Sequence, residues 1–113
     1  MRKLCVGTII TDTAGESIVG DGQPITVGMS LRQLIERQNP GSMAAARTLI
    51  GVGEKIDQCE GDTIKLENAE YNHLKEHFDK NPGFFTTVAF VCIGDAFEEA
   101  DRLYREGEKK KGK

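Results

Sequence analysis

The chain has 113 residues, 38% of them apolar and 29% charged, which is an ordinary composition for one globular domain. Its formal net charge of −3 is unevenly distributed: residues 1–105 carry 11 basic and 16 acidic side chains, whereas residues 106–113 carry four lysines and two glutamates. An acidic body disfavours broad nucleic-acid binding, and the sequence has no apolar run long enough for a membrane span. We predict a globular domain, residues 1–105, and a disordered lysine-rich tail, residues 106–113.

The first 26 residues predict short β-strands. Leu4, Val6 and Ile9 alternate loosely among strand formers, and "TDTAG" then supplies turn residues. A second extended stretch, "ESIVGDGQPITV", is interrupted at "GDGQP" by residues typical of turns. We therefore expect an N-terminal β-hairpin or a pair of short strands.

The segment "MSLRQLIERQ" predicts the first helix. Ser30 is a candidate N-cap with Gln33 as the second half of a capping box, and Met29 and Leu34 could form a hydrophobic staple. The helix is expected to end near Gln38, because the following "NPG" restricts the backbone before proline.

A second helix is predicted in "MAAARTLIGVGEKIDQC", with Ser42 as its N-cap. Gly51 and Gly53 are unfavourable inside a helix, and a neighbouring element that approaches closely is the simplest reason for them. The predicted apolar stripe consists of Met43, Ala46, Ile50, Gly53 and Ile56.

A third helix is expected to start near Glu67 or Asn68, after an extended stretch through Ile64 and Leu66. A second "NPG", residues 81–83, ends it. Its apolar face is predicted to contain Tyr71, Leu74 and Phe78.

This helix contains "HLKEH", an H-x-x-E-H spelling used by one class of zinc peptidases. His73 and His77, one turn apart, could grip a zinc ion, and Glu76 would act as general base. Helical geometry places His73 towards solvent and His77 on the flank of the apolar face. A third ligand is not singled out, although Glu98 and Glu99 are available, so a solvated helix surface is the preferred interpretation.

The stretch "FFTTVAFVCIGDAFEEADRLYREGE" predicts one long helix from Thr86 or Thr87, although its first half could also form a buried strand. Asp95 interrupts the apolar run and is expected to be partly buried. Apolar side chains recur at helical spacing along the whole stretch. The stripe consists of Phe90, Ile93, Phe97, Ala100 and Tyr104. It could belong to the core, but we predict a self-association surface because so small a domain has limited core to cover it.

Cys5, Cys59 and Cys92 are an odd number of widely spaced cysteines without a C-x-x-C pair. This pattern favours reduced thiols in a cytosolic setting, where each acts as a small buried apolar group. No histidine or other base is placed beside any of them by the sequence, so no catalytic cysteine is predicted.

The chain contains several short motifs in a characteristic order: "TDTAGESI", "ITVGMSLRQLI", "ARTLIGVGEKI", "TIKLENAEYNHLKE" and "AFVCIGDAFEEA". In this order, over roughly residues 8–100, the chain resembles small uncharacterised proteins encoded by tailed bacteriophages and prophages. The resemblance implies a viral or prophage origin and a non-enzymatic binding role. It assigns no catalytic residue.

The predicted fold class is α+β and mainly helical, with a short N-terminal β-hairpin packed on three to four helices. The predicted function is that of a non-enzymatic phage or prophage accessory protein, without a cofactor, that forms a homo-oligomer and binds a phage or host protein. It would act in particle assembly or on a host component, in the bacterial cytoplasm or in the virion. The alternatives are a zinc-dependent hydrolase that uses the HLKEH helix and a nucleic-acid-binding protein that uses the basic tail.

Overall fold

The computed structural model describes residues 2–11, 14–20 and 22–111. Four α-helices pack with a short antiparallel strand pair, which confirms the mainly helical α+β class. In chain order the elements are β1 (Arg2–Cys5), β2 (Val19–Gly20), β3 (Gln23–Pro24), α1 (Val27–Arg37), α2 (Met43–Asp57), β4 (Thr63–Leu66), α3 (Asn68–Lys80), a 3₁₀ turn (Pro82–Phe84) and α4 (Thr87–Lys111). None of the described helices combines the length and the hydropathy that a membrane span requires.

The strands form two small antiparallel pairs. β2 and β3 make the short hairpin expected near the N-terminus, but β1 pairs with the distant β4, with Leu4 opposite Ile64. Both of these side chains are buried, as is Leu66, and β1 packs against α4. The pairing of β1 is thus governed by burial against α4, which local turn signals do not reveal.

The N-cap of helix α1 lies four residues before the predicted one. Thr26 caps it instead of Ser30, because its hydroxyl accepts a hydrogen bond from the Met29 backbone N–H at 3.2 Å. Gly28 allows this first turn to approach the N-terminal segment, since an added Cβ would lie 3.0 Å from the Val6 Cβ. The end of the helix at Arg37 agrees with the predicted stop near Gln38.

Helix α2 starts at the predicted N-cap, Ser42, but buries a different face from the one predicted. Leu49, Val52 and Gly53 are buried, whereas Met43 is 69% and Ile50 60% exposed. Apolar residues at helical spacing fit two overlapping stripes, and the positions of the neighbouring helices decide between them. This part of the predicted stripe is wrong.

The glycines of α2 differ in their surroundings. Gly53 faces α1, where an added Cβ would lie 3.5 Å from the Arg32 side chain. Gly51 has no described atom within 4 Å of such a Cβ. The expected close approach is therefore real at Gly53 and absent at Gly51.

Helix α3 begins after Glu67, where Glu67 and Glu70 form a reciprocal capping box. Tyr71, Leu74 and Phe78 are buried, as predicted. Burial would raise the pKa of the Glu70 carboxyl, but hydrogen bonds from Lys55 and from the Glu67 backbone lower it overall. The Lys55–Glu70 ion pair, at 2.6 Å, ties α2 to α3.

Helix α4 is the single long helix that the sequence predicted, but its apolar stripe belongs to the core. Ile93, Phe97 and Ala100 are at most 2% exposed. Phe90 stacks on Phe78 with ring centroids 4.6 Å apart, and Tyr104 lies over the Arg2 guanidinium. The predicted self-association surface is therefore wrong at Ile93, Phe97 and Ala100, which the same chain covers. Phe90 and Tyr104 are only partly covered, and self-association itself stays a prediction.

The boundary between a domain at residues 1–105 and a disordered tail at residues 106–113 stays a prediction. The described backbone of α4 continues as helix to Lys111, beyond that boundary. The three cysteines are unpaired thiols and are half-buried instead of fully buried. Asp95 is exposed on α4, contrary to the expected partial burial.

Candidate binding groove

An apolar groove of about 350 Å³ lies between the N-terminal hairpin region, α1 and the start of α4. Seven of its eleven lining residues are apolar and most of these are only partly covered. The lining consists of Ile10, Ile18, Ile25, Met29, Ser30, Gln33, Arg37, Phe84, Phe85, Thr86 and Ala89. Large apolar side chains that the fold leaves half-exposed around one depression are typical of a binding site.

Three isoleucines form the first wall. The backbone N–H of Ile10 donates to Ile25, that of Ile25 to Ile18 and that of Ile18 to Ile10, at 2.8 to 2.9 Å. These bonds hold three chain segments side by side although the regular strands contain only two residues each. The wall is therefore fixed by backbone hydrogen bonds. Ile10 is buried and anchors it to the core, whereas the side chains of Ile18 and Ile25 are partly exposed to the groove.

Helix α1 forms the floor. Met29, Gln33 and Arg37 recur every four residues and thus lie on one face of the helix, which Ser30 widens. Met29 is 42% exposed, so it serves this face more than the core. Arg37 ends the helix and is exposed at the groove, and none of the ion pairs between described residues involves it.

The second wall is the connection between α3 and α4. Pro82 starts the 3₁₀ turn, and the Asn81 side chain closes the end of α3 by donating to the His77 carbonyl at 2.8 Å. Phe84 and Phe85 follow with their rings at an edge-to-face angle, centroids 5.1 Å apart. Phe85 also lies against Phe78, at 5.5 Å, which anchors this wall to the core.

The groove has the chemistry of a binding site. Arg37 is the only charged side chain among its described lining residues, and the hydroxyl and amide groups of Ser30, Gln33 and Thr86 supply hydrogen bonds. The Thr86 hydroxyl is engaged, since it accepts from the Ala89 backbone N–H at 3.2 Å. The apolar side chains of the groove can hold an apolar ligand, and Arg37 can orient a negative charge of that ligand towards its own end of the groove.

The predicted zinc residues lie elsewhere. His73, Glu76 and His77 line a cavity of about 160 Å³ between the start of α2 and the side of α3. His77 is only 3% exposed, so it is buried and not on the flank as predicted. The predicted flank position was wrong because α2 packs against α3 and covers His77 in addition to the apolar face of α3. His73 is only partly exposed.

Glu76 is engaged in an ion pair. Its carboxylate lies 2.7 Å from the Lys80 ammonium, and the hydrogen bond and charge of that lysine lower the pKa of Glu76. Glu98 and Glu99 are exposed on α4, and Glu99 pairs with Arg102. The described residues contain no group of three or more histidine, cysteine, aspartate or glutamate side chains placed to hold a metal ion.

A further cleft of about 380 Å³ lies beside the first turn of α1. Its charged groups, Arg32 and Asp57, are bound to each other at 3.0 Å. The Cys59 thiol donates to the Gly61 carbonyl at 2.9 Å. Because its charged groups are paired with each other, this cleft offers a ligand less than the apolar groove does.

Comparison with protein-family models, curated proteins and solved structures finds no match for the chain. The groove must therefore be interpreted from its own residues. Sequence reasoning missed it, because its walls come from three distant segments. The signals available in the sequence were the adjacent pair Phe84–Phe85 directly after "NPG" and three isoleucines in a turn-rich region.

Proposed function

We propose that this chain is a non-enzymatic protein-binding module whose apolar groove holds a short segment of a partner protein. The observation that carries the proposal is the concentration of half-exposed apolar side chains there: Ile18, Ile25, Met29, Phe84 and Phe85 surround one depression. On the core-facing side of α4, by contrast, Ile93, Phe97 and Ala100 are covered by the same chain. Covering the groove would remove this apolar surface from water, which is the main driving force of association.

The charge at the groove defines the partner further. Arg37 stands at one end of the floor without an ion pair to a described residue. An arginine fork binds a carboxylate in two parallel hydrogen bonds, and such a contact gives orientation as well as affinity. The preferred segment therefore carries an aspartate or glutamate, or its own C-terminal carboxylate, next to apolar anchors.

The dimensions favour a few anchoring side chains. A volume of about 350 Å³ lies at the lower end of ligand sites, which span roughly 300 to 1,000 Å³. Ser30 and Gln33 lie on the floor three residues apart and can bond the backbone of an extended segment. We therefore favour a peptide of a partner over a large rigid surface.

The phage or prophage setting is part of the proposal and is supported by the motif order described above. In that setting the partner would be a structural phage protein during particle assembly, or a host component. The site of action would be the bacterial cytoplasm or the virion. Self-association stays a prediction, but it would now have to use the groove or another face, since Ile93, Phe97 and Ala100 in the middle of the α4 stripe are buried.

Selection from a random peptide library on the immobilised protein tests the proposal. We expect the selected peptides to share two closely spaced apolar residues and one acidic residue. Arg37→Glu should weaken them about tenfold or more, because a favourable charge contact becomes a repulsive one. Fluorescence anisotropy with the labelled peptides measures the affinities.

Arg105→Glu is the matched control. Arg105 is exposed on α4, 16 residues from Ala89 and thus about 24 Å along the helix. It makes the same change in net charge away from the groove, and peptide affinity should stay within about twofold at physiological salt, where charges this far apart are screened. Two outcomes would contradict the proposed specificity. Both variants could weaken peptide binding equally, or the selected peptides could lack acidic residues and bind Arg37→Glu as tightly as the native chain.

A further inference from the structure

Helix α2 carries exposed apolar side chains on the side that faces away from the core. Met43 and Ile50 lie there two helical turns apart, and they are the most exposed large apolar side chains among the described residues. The buried side chains Leu49 and Val52 lie on the opposite side of the same helix. Two exposed apolar groups on one helix side are typical of a surface that another molecule covers.

Gly51 lies next to Ile50 on this exposed side. An added Cβ would meet no described atom within 4 Å, so packing within the described part of one copy does not require a glycine here. Glycine is nonetheless among the least favourable residues inside a helix. A glycine in this position allows the backbone of another molecule to approach closely.

Two opposite charges on the same side also lack a partner within the described chain. Arg47 and Glu54 are exposed, and neither belongs to an ion pair between described residues. They stand seven residues apart, which separates them by about 10 Å along the helix axis. This spacing exceeds the three or four residues at which helical side chains pair with each other.

The arrangement is symmetric about the midpoint between Ile50 and Gly51. Arg47 and Glu54 each stand about 5 Å from that midpoint along the axis, on opposite sides of it. In an antiparallel pair of α2 helices whose twofold axis passes through this midpoint, Arg47 of each copy lies level with Glu54 of the other. The two Ile50 side chains then lie next to each other at the axis. A twofold interface uses the same patch on both copies, so the patch must be complementary to itself, as this one is in charge.

We infer that the exposed side of α2 binds the same side of a second copy of this chain, antiparallel, in a weak twofold dimer. None of its residues lines the apolar groove, so the inference does not depend on the proposed function. A contact formed mainly by one helix of each copy is small, and we expect a dissociation constant on the order of 0.1 to 1 mM. The chain is then a monomer at the low micromolar concentrations that suit peptide-binding measurements.

Sedimentation equilibrium at concentrations up to about 1 mM tests the inference. The native chain should show a monomer–dimer equilibrium. Arg47→Glu should weaken the dimer at least about tenfold, because two attractive charge contacts become repulsive. The variant places an acidic side chain nearer to the N-terminus of α2, which the helix dipole favours, so the folded monomer should keep its stability. Combining Arg47→Glu with Glu54→Arg should restore the dissociation constant to within about twofold, since both pairs form again with exchanged signs.

Ile50→Gln tests the apolar part of the same contact. It should weaken the dimer about tenfold, because the amide is costly to desolvate between two apolar surfaces. Val91→Gln, at an exposed apolar residue of α4, is the matched control and should leave the dissociation constant within about twofold. A native chain that stays monomeric at about 1 mM would overturn the inference. So would a double charge reversal that dimerises no better than Arg47→Glu alone, or equal effects of Ile50→Gln and Val91→Gln.

Discussion

The two ends of helix α4 meet the rest of the molecule in different ways. Near its C-terminal half the Arg2 guanidinium lies between the rings of Tyr71 and Tyr104, at 4.5 and 4.3 Å from their centroids. The same guanidinium bonds Asp101 at 3.0 Å and Asn68 at 2.9 Å. The charge of Arg2 and both rings of this corner therefore have their contacts within the chain.

The N-terminal end of α4 contains similar components in an unsatisfied state. Phe84 and Phe85 are half-exposed, and Arg37 faces the same groove without an ion pair to a described residue. At the C-terminal end of α4 the arginine and the aromatic rings contact each other. At the N-terminal end they are available to contact a ligand. This contrast separates a structural cluster from a binding surface better than residue type does.

The largest effect is expected in the covered middle of α4. Phe97 is 1% exposed and lies 5.6 Å from the Tyr71 ring and 5.2 Å from the Phe78 ring. Phe97→Ala should lower the free energy of unfolding by about 3 to 5 kcal/mol, through lost burial and the cavity that remains. Urea denaturation measures it. Val91→Ala, on the exposed side of the same helix, is the control and should cost less than about 1 kcal/mol.

A loss below about 1 kcal/mol for Phe97→Ala, inside the range of ordinary surface changes, would show that this stripe is not core. The stripe would then return as a candidate for self-association. Size exclusion with light scattering on the native chain would decide that point.

A smaller effect is expected at the closed corner. Arg2→Met should lower the free energy of unfolding by about 2 kcal/mol, since it removes charge-assisted hydrogen bonds and two cation–π contacts that are only partly exposed to solvent. The matched change Arg37→Met should stay within about 0.5 kcal/mol, because that arginine is exposed and makes no ion pair within the described chain. Thermal and urea unfolding of both variants measure the difference, and equal losses would remove the distinction between the two corners.

Local signals predicted most of the elements. The Ser42 cap, the start of α3 directly after Glu67 and the stop before each "NPG" depend on neighbouring residues and agree with the structure. The cap of α1 moved from Ser30 to Thr26 because tertiary contacts favoured the earlier turn. Here the packing of Gly28 against Val6 and the burial of Val27 outweighed a plausible local motif.

Local signals did not predict which element of the fold covers each apolar face. The periodicity of α4 correctly grouped Ile93, Phe97 and Ala100 on one face, but it did not show what lies against that face. Strand β1 lies against that face. It is held there by its pairing with β4, some sixty residues later in the sequence, and no local pattern encodes this pairing. The groove was missed for the same reason, since it exists only where three distant segments meet.

The smallest effect on stability is expected on the groove floor, and it gives the sharpest test of the comparison. Met29→Gln keeps helix propensity nearly unchanged and removes a side chain that is already 42% exposed, so the free energy of unfolding should change by less than about 0.5 kcal/mol. Binding of the selected groove peptides should nevertheless weaken several-fold, because the glutamine is costly to desolvate under an apolar ligand. Met43→Gln, at an apolar residue that is 69% exposed outside the groove, should leave both quantities unchanged. If Met29→Gln destabilised the fold by more than about 1 kcal/mol, beyond the range of a surface change, Met29 would belong to the core. The floor of the apolar groove would then be a structural surface and not a binding surface.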